Sequence, residues 1–165
     1  MAVAIKDLGF SNIRIYNGGL KDWAKAGYEI ESQEPLPEYE GSYMEAQELL
    51  ALIRRTDIED CKDKQGNPLF TILDYRTELV HNEGKDLPVI STKCPQLVML
   101  LDDFADPVKR DTIPRTGTVI LVSETGNRDP FAMRYLHNHG YDNIVGLRFG
   151  MRAWIKAGYP VEMSR

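Results

Sequence analysis

Residues 118–130 read TVILVSETGNRDP. Five residues rich in branched apolar side chains predict a buried strand over Thr118 to Val122, and Ser-Glu-Thr-Gly-Asn-Arg then breaks the pattern. The Asp-Pro pair that follows predicts a helix over Asp129 to Asn138, with Asp129 as N-cap and Pro130 at the first helical position. A strand that passes through a tight glycine loop into a helix is the repeating unit of an α/β sheet, and ligands bind at such loops. Gly126 permits the reversal, successive N–H groups can converge at the amino end of the helix, and Arg128 adds a fixed positive charge. The expected ligand is an anion.

The flanking sequence alternates in the same way. Apolar residues at helical spacing behind a Gly-Ser start predict a helix from Tyr43 to Arg54, and Leu69 to Leu73 predicts a short strand. A weaker strand is expected at Val89 to Ile90, a helix over Gln96 to Phe104, a strand over Asn143 to Leu147, and a helix over Met151 to Ala157 closed by Gly158. Strands alternating with helices imply a parallel sheet covered on both faces.

The chain also repeats itself. LGFSNIRIYNGGLKDWAKAGYEIE (8–31) aligns without gaps to HGYDNIVGLRFGMRAWIKAGYPVE (139–162), an offset of 139 − 8 = 131 residues with ten identities among 24 positions. Such an offset is the length of a domain and far exceeds the period of a solenoid. The implied organisation is residues 1–36 as the carboxyl-terminal remnant of one domain plus a linker, then a complete domain over 37–165; the linker ESQEPLPEYEG is rich in Pro and Glu. A lone strand and helix cannot bury enough area to stand alone, so residues 1–31 must dock on a preceding domain, on the complete domain, or on a neighbouring chain in a swap or homo-oligomer.

Composition bounds the function. An apolar fraction of 42% with 27% charged residues belongs to a folded globular chain. The net charge of -5 excludes nucleic acid as a default partner, because no cluster of Lys and Arg is present to neutralise phosphates. Apolar runs such as Leu97 to Leu101 are too short to span a membrane, and the start MAVAIKDLGF lacks the features of a secretion signal, so a cytoplasmic setting is expected. The two cysteines, Cys61 and Cys94, form no CxxC pair, which argues against a metal site and a disulfide scaffold; ordinary thiols are expected. His137 and His139, two apart on a helix, point in different directions.

Three motifs in order carry a resemblance: Ile72-Leu73-Asp74-Tyr75-Arg76; the loop Ser123-Glu124-Thr125-Gly126-Asn127-Arg128; and Asn143-Ile144 through Trp154 to Val161. From about residue 38 to 162 the chain resembles a rhodanese-like (thiosulfate sulfurtransferase) domain, and residues 8–31 resemble the end of a preceding one. The resemblance implies a three-layer α/β/α fold around a parallel five-stranded sheet, no cofactor and no metal. Family chemistry uses a cysteine at the first loop position, whose thiolate takes sulfur from a donor such as thiosulfate and passes it on as a persulfide. Ser123 stands there, with no base near it in sequence.

Glu124 and Asp129 add negative charge to the loop, and Phe149 replaces a family glycine where it would crowd the pocket. Arg76 and Asp74 are expected in support, and Arg128 pairs with Asp74 or Glu124 if it is not a ligand contact. The expectation is a rhodanese-like module without sulfurtransferase activity, serving a structural, regulatory or anion-binding role with a small sulfur anion or a protein as partner. An active sulfurtransferase would require a cysteine that Ser123 replaces, or Cys61 or Cys94 folded into the loop. A phosphatase-like anion site is the third alternative, though the loop has the shorter, sulfur-handling length.

Overall fold

The structure, a computed structural model, describes residues 6, 9–30, 36–56, 60–80 and 86–164. It separates into two units, Met1–Pro35 and Leu36–Arg165. Among the described residues of the first, Gly19–Lys25 form helix α1. In the second the chain runs through β1 (Ser42–Met44), α2 (Ala46–Thr56), β2 (Phe70–Asp74), α3 (Thr77–Val80), β3 (Pro88–Ile90) and β4 (Gln96–Val98). A 3₁₀ turn (Leu101–Ala105), α4 (Pro107–Arg110), β5 (Thr118–Val122), α5 (Asp129–Asn138), β6 (Ile144–Leu147), α6 (Gly150–Lys156) and β7 (Val161–Met163) complete it.

Five strands form one parallel sheet in the order β1-β6-β5-β2-β4. Period-two alternation sends the side chains of its central strands into two separate cores. Phe70, Ile72, Ile120 and Val122 meet Leu49, Leu50 and Ile53 of α2 and Met151 and Trp154 of α6 on one face. Leu73, Val119 and Leu121 meet Ala132, Met133 and Leu136 of α5 on the other, with Phe104 and Ile113. Strands buried on both faces read as continuous apolar runs, which is why 118–122 was the clearest signal. Register aligns Asp74 with Val122, so the loops after β2 and β5 leave the sheet side by side. The chain turns from β2 toward β4 and from β5 toward β6, in opposite directions, and a crevice opens between the two loops.

Several local expectations are corrected. Tyr43 belongs to edge strand β1, not to a helix; α2 begins at Ala46, and the Glu48 carboxylate accepts the Glu45 N–H at 2.8 Å. Residues 96–98 are likewise a strand: Val98 faces solvent between half-buried Leu97 and buried Met99, an edge-strand alternation hidden in the apolar run 97–100. A 3₁₀ turn follows, started by Asp103 accepting from the Leu100 N–H at 2.9 Å. The strand at 88–90 lies outside the main sheet, paired antiparallel with β7. No helix among the described residues is long and apolar enough to cross a membrane.

Cys61 and Cys94 are also corrected. They form a disulfide across a sequence separation of 33, with Cα atoms 5.1 Å apart, and both are buried in the α2 core. Nothing in their spacing announces the pair, because the fold brings together the turn after α2 and the approach to β4. Closing that loop restricts the unfolded chain. Replacing both with alanine is expected to lower the unfolding free energy by about 3 kcal/mol, read as a reduced urea midpoint.

Candidate functional site: the loop after β5

Ser123 to Arg128 leaves the carboxyl end of β5 and feeds α5. Gly126 has φ +79°, and a Cβ there would lie 3.1 Å from the Phe149 backbone nitrogen, so glycine is needed for both conformation and space. Gly150, at φ +60°, is held more tightly still: a Cβ would approach the Ser123 carbonyl oxygen to 2.2 Å. That carbonyl accepts the Met151 N–H at 2.8 Å, and the Glu124 carbonyl accepts the Arg152 N–H at 3.0 Å. The first turn of α6 is thus bolted to the start of the loop.

Beneath the loop lies Asp129. The helix begins with Arg128 at the N-cap position and no side-chain cap, and Pro130 falls in the first turn after Asp129. Asp129 therefore does not cap the helix as its position in sequence suggests. Its side chain turns inward and is 0% exposed. Oδ1 accepts from the Ser123 hydroxyl at 2.8 Å and from the Tyr75 hydroxyl, while Ser123 Oγ accepts the Gly126 N–H at 2.9 Å. Ser123 thus has a carboxylate partner that linear sequence did not reveal. Oδ2 of Asp129 is buried without a hydrogen-bond partner among the described residues.

Burial raises the Asp129 carboxyl above its ordinary value, against the two hydroxyl donors that favour its charged form. Tyr75 is held protonated by burial and by the Asp129 charge. Asp74 is raised by burial too, opposed by Arg76. The Asp74–Arg76 pair is buried, with Arg76 Nη2 at 2.8 Å from Oδ2 and Nε donating to both carboxylate oxygens; Nη2 also donates to the Pro88 carbonyl at 2.8 Å. This pair braces the segment after β2.

An open cleft of about 340 Å³ separates the two loops. Of the residues named from sequence, Arg76, Ser123, Glu124, Thr125, Asn127 and Arg128 line it. Asp74 and Asp129 sit beneath it, buried. Phe149 does not crowd the cleft: its side chain is 64% exposed, and its backbone, at φ +61°, supports Gly126 instead. Tyr75, Thr77 and Glu78 also line the cleft and were not singled out; Tyr75, between Asp74 and Arg76 in the strand-end motif, was the readable signal. Asp74 pairs with Arg76, and Glu124 lies 3.9 Å from Arg152, so Arg128 forms no ion pair among the described residues. His137 pairs with Asp142, and His139 stacks on Tyr135.

Known proteins share this fold. No family model matches the chain. A curated sulfurtransferase from Allochromatium vinosum is 33% identical over 55 residues, which are 33% of this chain and 51% of that protein, so the match spans about half the relative's length. A rhodanese-related protein from Thermoplasma volcanium superposes with a TM-score of 0.53 at 22% identity, over 73% of this chain and 97% of its own. The rhodanese-like domain of an Anabaena protein gives 0.52 at 21%, over 74% and 80%. A Rhodopseudomonas palustris protein of unknown function, titled a possible tyrosine phosphatase, gives 0.51 at 15% over 92% and 100%. The fold and its strand-end cleft define an α/β domain of the rhodanese type. The chain shares that fold with the rhodanese-like structures, and a third of it is similar in sequence to part of the sulfurtransferase.

The raised Asp129 carboxyl has a consequence for stability. A carboxyl raised on folding favours the folded state below the ordinary aspartate value, and that contribution is lost as pH rises through the raised value. Asp129→Asn removes the buried charge while keeping an acceptor for Ser123 and Tyr75. It is expected to raise stability at pH 7 by on the order of 1 kcal/mol and to flatten urea midpoints measured between pH 4 and 8. The remaining slope in that range belongs largely to Asp74.

Proposed function

We propose that residues 37–165 form a rhodanese-like module that recognises an anionic group without transferring sulfur. The observation that carries this reading is the Ser123 hydroxyl, which donates to Asp129 and accepts from Gly126. An oxygen at that position cannot carry a persulfide, and the carboxylate beside it orients the hydroxyl without making it a sulfur carrier. Cys61 and Cys94 are bonded to each other and line no part of the cleft, which removes the support for either as a substitute nucleophile. The same carboxylate would oppose a thiolate at position 123.

Arg128, without an ion-pair partner among the described residues, supplies the attraction for an anion at the cleft, and Glu78 and Glu124 on the rim weaken it. That balance favours an anionic group carried on a protein partner, which gains contacts elsewhere, over a free sulfur anion. The disulfide weighs against the cytoplasmic setting expected from sequence, because such bonds persist in oxidising compartments.

Thiosulfate and cyanide should yield no thiocyanate with this chain. Turnover that survives Ser123→Ala would sink the proposal. Ser123→Cys alone should remain poor at pH 7, and adding Asp129→Asn should raise its rate about tenfold for each unit by which the thiol pKa falls, until the thiolate dominates. Thiosulfate affinity by calorimetry should fall about tenfold in Arg128→Ala, and unchanged affinity would remove Arg128 from the anion site.

A further inference from the structure

The two copies of the internal repeat share their local structure and differ in what covers them. Trp23 Nε1 donates to the Glu29 carbonyl at 2.9 Å, and its counterpart Trp154 donates to the Pro160 carbonyl at 2.9 Å. Both tryptophans pack on the following tyrosine, Tyr28 at 4.8 Å and Tyr159 at 5.2 Å between ring centroids. Each helix is entered through two positive-φ residues, Gly18-Gly19 and Phe149-Gly150.

Burial separates the copies. Tyr141, Leu147, Met151 and Trp154 are 1, 0, 0 and 0% exposed, whereas their counterparts Phe10, Tyr16, Leu20 and Trp23 are 61, 51, 68 and 39% exposed. Residues 144–147 form β6 between β1 and β5, but residues 13–16 form no strand. The first copy has the shape of a domain's closing elements, with the apolar face of that role left uncovered.

The repeat identifies what fits this face. In residues 36–165 the equivalent face is covered by the elements that precede β6, with β1 and β5 pairing on either side of it. A second copy of this chain cannot supply the same slot. Ile15 corresponds to Gly146, where even a Cβ would lie 2.9 Å from the Tyr43 ring and 3.0 Å from Asp129 Oδ2. Tyr16 would also replace Leu147 in a fully buried site.

We propose that residues 9–30 are the closing strand and helix of a second rhodanese-like domain of different sequence. Its remaining elements lie N-terminal to them in the same polypeptide, as the order of elements in residues 36–165 requires. They cover Phe10, Tyr16, Leu20 and Trp23 and leave room opposite Ile15 for a branched side chain.

Amide hydrogen exchange and iodide quenching of tryptophan fluorescence test this on the 165-residue chain and on the longest natural polypeptide that contains it. In the 165-residue chain, amides 13–16 should exchange at least 100-fold faster than amides 144–147, and Trp23 should be quenched. In the longer polypeptide, amides 13–16 should be protected by at least 100-fold and quenching of Trp23 lost. Three results would overturn the proposal: protection of 13–16 in the monomeric 165-residue chain; a dimer in light scattering that Ile15→Gly strengthens and Trp23→Ala abolishes; or a natural polypeptide that supplies no such elements upstream.

Discussion

The site depends on one buried carboxylate. Asp129 gathers the hydroxyls of Tyr75 and Ser123, and these come from the ends of two neighbouring strands. One acceptor thereby ties the loop after β2 to the loop after β5 at the start of α5. The arrangement keeps a raised carboxyl in the interior, stabilised by hydroxyl donors and destabilised by lost hydration. A cleft built over such a group has its shape fixed from below, and half-buried Thr125 with exposed Asn127 and Arg128 are left to set what binds.

Much of the architecture was legible from residue patterns. The central strand β5, the helix after the loop and the α6 segment closed by Gly158 were readable because each combines an apolar period with its own punctuation. Edge strands β1 and β4 were read as helix. A three-residue edge strand has too few positions to show a period, and its pairing partner lies far away in sequence. The β3–β7 ribbon was half seen for the same reason.

The candidate site divides along a similar line. Gly126, Arg128 and Ser123 could be named because the loop is continuous in sequence. The inward turn of Asp129 could not, because Asp before Pro at a helix start reads first as a cap, and only the fold brings Tyr75 within reach. Phe149 was misjudged because a side chain on a residue with positive φ leaves the backbone in an unaccustomed direction, here toward solvent. The disulfide had no local signature at all.

The joint between loop and last helix is made by main-chain groups: the carbonyls of Ser123 and Glu124 receive the amides of Met151 and Arg152, with Gly150 pressed against the first of them. None of these contacts passes through the side chain at position 123. The mechanical coupling of sheet to helix and the chemical identity of the cleft are therefore written in different atoms of the same residue. A scaffold wired in this way can exchange its chemistry at one side chain while the hinge-pin of the domain stays in place.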